Sequence, residues 1–189
     1  MRWVAIKKYI TINGGMGAGK TEVGRSVAEK LYGTAFIDGD FIIEIHPFGC
    51  ADYTSTKAMR LDNILHLSKS YFNFDDCKNI VLSWIMYEDT ASELVAEISK
   101  LDVCFYHFVL TCNAETLTER WKNDEINDWR NDENLQTAIE QLEYFRNLPG
   151  ATVIDTSELS VDMVANEIIV YLRALENSPI LKLDGRRNL

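Results

Sequence analysis

The chain has 189 residues, 47% of them hydrophobic and 11% aromatic, which suits one domain with a sizeable core. Nineteen basic against twenty-nine acidic residues give a net charge of -10, which argues against a nucleic-acid or anionic-membrane surface and for a small partner. Four cysteines without a C-x-x-C pair fit a reducing cytosol, and three scattered histidines and no long apolar run leave a zinc site and a transmembrane segment unsupported.

In chain order, Met1 to Ile12 is too short for a signal peptide and contains the β-branched run Ile10-Thr11-Ile12. Gly14-Gly15-Met16-Gly17-Ala18-Gly19-Lys20-Thr21 follows directly and fits G-x-x-x-x-G-K-[ST] at every fixed position, the signature of a phosphate-binding loop. Glycines let successive N–H groups turn inward toward phosphate oxygens, Lys20 adds a positive charge for the β- and γ-phosphates, and the Thr21 hydroxyl suits Mg²⁺. From Glu22 to Tyr32, Val23, Val27, Ala28 and Leu31 share one helical face, so the phosphates meet a helix N-terminus. Gly14 through Glu22 are therefore the candidate nucleotide contacts.

Thr34-Ala35-Phe36-Ile37 reads as a short buried strand ending at Asp38-Gly39-Asp40, and residues 41 to 53 as an irregular helix and loop. A helix is expected over Thr56 to Phe72, a buried strand over Asn79 to Met86, and a helix to Lys100 opened by the capping box Thr90-x-x-Glu93. Val103 to Thr111 is strongly β-forming, and Asn113 can cap a helix carrying Leu117 and Trp121. Asp124 to Asn134 is polar and reads as a mobile surface segment. Leu135 to Leu148 reads as a helix, Ala151 to Ile154 as a strand and Val161 to Leu175 as an amphipathic helix, and residues 177 to 189 form a tail without periodicity. Alternation of this kind without repeats or linkers predicts one domain over residues 1 to 176, a three-layer α/β fold with a mostly parallel sheet of about five strands. Ligands of such sheets bind beyond the strand carboxyl ends, where the glycine-rich loop and the acids at 38 and 40 both fall.

Phosphoryl transfer needs a carboxylate beside the acceptor and often another for the metal. Asp40 is assigned to the acceptor hydroxyl, as anchor or base, and Asp38 to Mg²⁺ together with Thr21, although the two roles could be exchanged. Arg60 is a candidate for holding a polar or anionic acceptor, or else lies on a solvated helix face. Arg120 and Arg130 could close over the triphosphate and supply charge during transfer, or only pair with the surrounding acids. N-K-x-D is absent after the loop, and Tyr87 follows the strand Asn79 to Met86 before any acid does, so switch GTPases and motor ATPases fit less well than a small kinase.

On GGMGAGKT, FIDGD, HFVLTCNAETLTERW and VIDTSELSVDMVANEI, the chain resembles small P-loop kinases of the shikimate, gluconate and adenylylsulfate kinase type. It is also similar to tunicamycin-resistance and chloramphenicol-phosphotransferase-like members of the nucleoside monophosphate kinase-like group. The resemblance implies a P-loop NTPase sheet in the order 2-3-1-4-5 and ATP with Mg²⁺ as donor. It further implies an acceptor site between Asp40 and the helix bearing Arg60, a lid over about 122 to 134, and an adenine near Arg120 and Thr156 to Glu158. Small acceptors, a monomer or homodimer, and a cytoplasmic location complete the expectation. A nucleoside or nucleotide kinase is the alternative, with Phe41, Phe48, Tyr53 and Trp84 as stacking candidates, and an ATP-binding regulatory protein is the alternative outside enzymes. Trp84-Ile85-Met86-Tyr87 stands where shikimate kinases carry a glycine triplet, and His46 comes later than the histidine of gluconate kinases.

Overall fold

The computed structural model describes residues 7–46, 53–123 and 131–176. The elements run β1 (Lys7–Gly14), α1 (Lys20–Lys30), β2 (Thr34–Asp38), α2 (Tyr53–Phe72), β3 (Asn79–Ser83) and α3 (Glu88–Ile98). There follow β4 (Val103–Thr111), α4 (Ala114–Asn123), α5 (Asp132–Arg146), β5 (Thr152–Asp155) and α6 (Val161–Glu176). The strands form one sheet in the order β2-β3-β1-β4-β5, and every pairing is parallel. The three-layer fold and the implied strand order are therefore both present.

β1 and β3 lie inside the sheet, and residues 9–14 and 79–83 are buried throughout, which is why these stretches read as continuous rather than alternating apolar runs. Side chains alternate between the two faces. Ile10, Ile12, Val81, Phe108 and Leu110 pack with Val23 and Val27 of α1 and with Val164 and Ile168 of α6. Tyr9, Ile80, Leu82, Trp84 and Phe105 pack on the other face with Ile64 of α2 and Leu94 of α3, while Val109 meets Phe145 of α5. Each crossover helix thus buries its apolar stripe against the sheet and leaves the loops at the strand carboxyl ends free to build a site.

Several boundaries differ from the sequence reading. β3 stops at Ser83 rather than Met86, because the Asn13 side chain takes over the backbone of Met86: Asn13 Oδ1 accepts from Met86 N at 2.8 Å and Asn13 Nδ2 donates to Met86 O at 2.8 Å. α3 begins at Glu88, without a side-chain cap at Tyr87, and the expected Thr90–Glu93 box is not formed. Thr90 is fully buried within the first turn, and Glu93 instead pairs with Lys57 of α2 at 3.1 Å. α2 starts three residues before the expected Thr56, and α5 starts at Asp132, where Asn131 Oδ1 accepts from Asn134 N at 2.8 Å. Residues 41–46 have no regular structure, and the rest of the expected lid, 124–130, lies outside the described residues. Among the described residues no helix is long and apolar enough to cross a membrane.

Candidate active site

β1 delivers the glycine-rich loop to the carboxyl edge of the sheet. Gly17 and Gly19 adopt φ of 74° and 86°, a left-handed conformation open chiefly to glycine, and this folds the loop back over the start of α1. A β-carbon on Gly17 would stand 2.9 Å from Leu117 of α4, while one on Gly19 would meet nothing within 4 Å. The loop is thus packed on its outer side and open on its inner side. Among the described residues, the N–H groups of Gly17, Gly19, Lys20 and Thr21 carry no backbone partner, which leaves four donors at a helix N-terminus for an anion.

Lys20 is buried, and its Nζ donates to Gly15 O at 2.9 Å. Burial pushes its ammonium below the ordinary lysine range, against the opposing pull of Asp40, Asp38 and Glu22. Thr21 Oγ1 donates to Asp38 Oδ2 at 3.1 Å, and the other oxygen of Asp38 accepts from Asp40 N at 3.1 Å. Asp38 is therefore held by both oxygens, next to the hydroxyl that the loop motif reserves for a metal. The Asp40 side chain makes no hydrogen bond among the described residues. It is open to solvent on one side, yet the surrounding protein raises its carboxyl above the ordinary aspartate range, with Lys20 pulling the other way.

The turn that carries Asp40 is fixed from below and from the side. A β-carbon on Gly39 would come within 2.4 Å of Trp84 Cγ, so the turn lies flat on the indole, and Trp84 is a fully buried core residue rather than an open stacking platform. Arg60 Nη1 donates to Gly39 O and to Asp40 O, each at 2.9 Å, and Nε donates to Thr56 Oγ1 at 3.1 Å. The guanidinium thus clamps the backbone of the acid pair. Phe41, the next residue, is 82% exposed.

On the other side of the loop, Arg120 Nη1 donates to Thr156 Oγ1 at 2.9 Å and Nη2 donates to Thr156 O at 2.7 Å. Thr156 is itself pinned to Thr111 O through its N–H, at 2.8 Å, and its hydroxyl, at 3.0 Å. Arg120 therefore joins α4 to the loop after β5, beside the rim of the phosphate loop. Arg130 lies outside the described residues, as does Phe48.

Three contributors escaped the sequence reading. Asn13 Oδ1 also accepts from Gly14 N at 2.7 Å, so its amide fixes both the first loop glycine and the chain after β3. Asn13 Nδ2 also lies 3.3 Å from His107 Nε2; burial lowers the His107 pKa to about 4, so at neutral pH this nitrogen is free to accept. Gln141 of α5 lies against Gly15 and donates to Tyr87 OH at 2.8 Å. A polar residue such as Asn13 inside a buried strand, one position before the first loop glycine, was the available signal.

Oxygen-bearing side chains at Thr21 and Asp38 beside a run of free N–H groups are a donor set for a hard cation bound to an anion. Among solved structures, the chain is similar to a gluconokinase from Sinorhizobium meliloti 1021 at 19% identity and a TM-score of 0.69, covering 96% of this chain and 100% of that one. It is similar to the tunicamycin resistance protein of Deinococcus radiodurans at 18% identity and a TM-score of 0.64, covering 88% and 96%. A shikimate kinase from Acinetobacter baumannii, solved with shikimate, matches at 20% identity and a TM-score of 0.57, covering 92% and 97%. At these identities the likeness establishes the fold, a P-loop kinase fold. Comparison with curated protein sequences finds no match. Residues 10–141, well over half of the chain, match the family described as the AAA domain, and with its phosphate loop at the head of that span the chain belongs to this P-loop family.

Proposed function

We propose that the protein is an ATP-dependent phosphotransferase that moves the γ-phosphate to a hydroxyl of a small molecule. The observation that carries this reading is the contrast within the acid pair. Asp38 is engaged with both oxygens beside Thr21, whereas Asp40 projects a carboxylate without a hydrogen-bond partner among the described residues, near Lys20. A nucleotide-binding switch has no need of a second, poised carboxylate; a transferase needs one for the incoming hydroxyl.

In this reading the loop N–H groups of Gly14 to Lys20, with Met16, Ala18 and Glu22 shaping the loop, hold the β- and γ-phosphates. Lys20 leaves Gly15 O to follow the charge that develops during transfer. Thr21 and Asp38 would hold Mg²⁺, which neutralises the phosphate oxygens when bound. Asp40 orients the acceptor hydroxyl and takes its proton, and its raised carboxyl brings it closer to the pKa of a useful base at neutral pH. Arg60 positions Asp40 through the backbone, and Arg120 with Thr156 forms the wall for the adenine. A nucleoside acceptor has one specific observation in its favour, the exposed ring of Phe41 beside Asp40.

The test is ADP release from ATP·Mg²⁺ across a panel of sugars, nucleosides, shikimate-like acids, and aminoglycoside or phenicol alcohols. One class should stimulate release, and Asp40→Asn should lower the stimulated rate by about a hundredfold or more, as for a lost general base. No stimulation by any acceptor would leave a nucleotide-binding protein without transfer activity.

A further inference from the structure

Ser83 is the last residue of β3, where many P-loop proteins carry an acid and this chain carries none. In the ladder, Ser83 pairs with Asp38 of β2 on one side and with Ile12 of β1 on the other. Residues in register in a parallel sheet direct their side chains to the same face. That face is the one covered by α1. A β-carbon on Gly24 would stand 3.4 Å from Ser83 Cβ, and Thr21, one turn earlier on α1, bonds to Asp38. Thr21, Asp38 and Ser83 therefore converge from three elements at the inner edge of the phosphate loop.

Ser83 is 1% exposed, and its Oγ has no hydrogen-bond partner among the described residues. A buried, unpaired hydroxyl opposes folding, and alanine would fill the same space without that cost. Mg²⁺ is reluctant to shed water and keeps several water molecules when bound to a nucleotide, so outer-shell oxygens decide how firmly it is held. We infer that Ser83 Oγ is the third side-chain holder of the nucleotide's Mg²⁺, acting on its hydration shell beside Asp38. A hydroxyl suits this place better than a carboxylate, because Asp38, Asp40 and Glu22 already crowd Lys20 with negative charge.

The inference rests on reading the site as one for ATP·Mg²⁺, and calorimetric binding of the β,γ-imido analogue of ATP, with Mg²⁺ and with EDTA, tests the two separately. In the wild type, Mg²⁺ should tighten binding. In Ser83→Ala, affinity with EDTA should match the wild type, while affinity with Mg²⁺ falls about tenfold, the lower end of what losing an outer-shell partner costs. The melting temperature of the free variant should equal or exceed that of the wild type, since no protein hydrogen bond is lost. A variant that gains as much from Mg²⁺ as the wild type, or that loses affinity equally with EDTA, overturns the role of Ser83 and leaves the site intact. A wild type indifferent to Mg²⁺ overturns the metal site as well.

Discussion

Asp38 and Asp40 have the same side chain two positions apart, and the fold puts them to opposite uses. Asp38 accepts from the Thr21 hydroxyl and the Asp40 N–H, while Asp40 is left with a raised carboxyl and no hydrogen bond to its side chain among the described residues. A carboxyl whose pKa is raised by folding binds its proton more tightly in the folded chain than in the unfolded one. Its contribution to stability is present below the ordinary aspartate pKa and is lost as pH rises through the raised value. At about pH 7 the ionised Asp40 therefore opposes folding, and Asp40→Asn should melt above the wild type. The gap should narrow toward about pH 4, where the wild-type carboxyl takes up its proton. Thermal melts of both proteins across that range check this, and a gap that does not change with pH removes the claim that Asp40 is held in an unfavourable charged state. Such a site trades stability for function, as poised bases do.

At the scale of elements, α4 and the loop after β5 form one unit because Arg120 reaches across to Thr156 with both nitrogens of its fork. Arg120→Ala should weaken ATP binding about tenfold, since a bond from a charged donor is worth about 1.5–3 kcal/mol and only part of it bears on the ligand. Arg120→Lys should restore little, because a single ammonium cannot span both Thr156 oxygens. Binding calorimetry on the two variants decides this, and wild-type affinity in Arg120→Ala would remove Arg120 from the nucleotide wall. The sequence showed that Arg120 sits on a helix, but not which way its guanidinium turns, since that depends on a partner thirty-six residues away. The same limit explains the boundary errors. The run Asn79 to Met86 is apolar enough to be strand throughout, yet the Asn13 amide captures Met86, and Thr90 is drawn into the core instead of capping. Local pattern sets the existence of each element, and tertiary partners set its ends.

Across the whole molecule, the parallel order β2-β3-β1-β4-β5 brings the phosphate loop, the acid pair, Ser83 and Thr156 to one edge of the sheet. The donor half of this edge was legible, because the glycine-rich loop is contiguous and its chemistry is local. The acceptor half was not, because Gly39 on Trp84, Arg60 on the turn carbonyls and Ser83 beside Asp38 are contacts between residues twenty to forty-five positions apart. Electrostatics ties the two halves together. The chain carries a net charge of -10, and its one buried lysine at the site faces Asp40, Asp38 and Glu22 while burial works against its charge. Free triphosphate meets an acidic molecule, whereas the Mg²⁺ complex carries less negative charge and brings phosphate oxygens to Lys20 in place of Gly15 O. Binding to the folded chain alone stabilises it by about 2.7 kcal/mol at roughly a hundred times Kd. For a chain of this length each kcal/mol moves Tm by about 2–4 °C, so ATP·Mg²⁺ should raise Tm by roughly 5–10 °C. Lys20→Ala should fold and show little of that shift, because the loop N–H groups remain but the charge that neutralises the phosphates is gone. Thermal melts with and without ATP·Mg²⁺ read this directly, and a full shift in Lys20→Ala would place the nucleotide somewhere other than this loop.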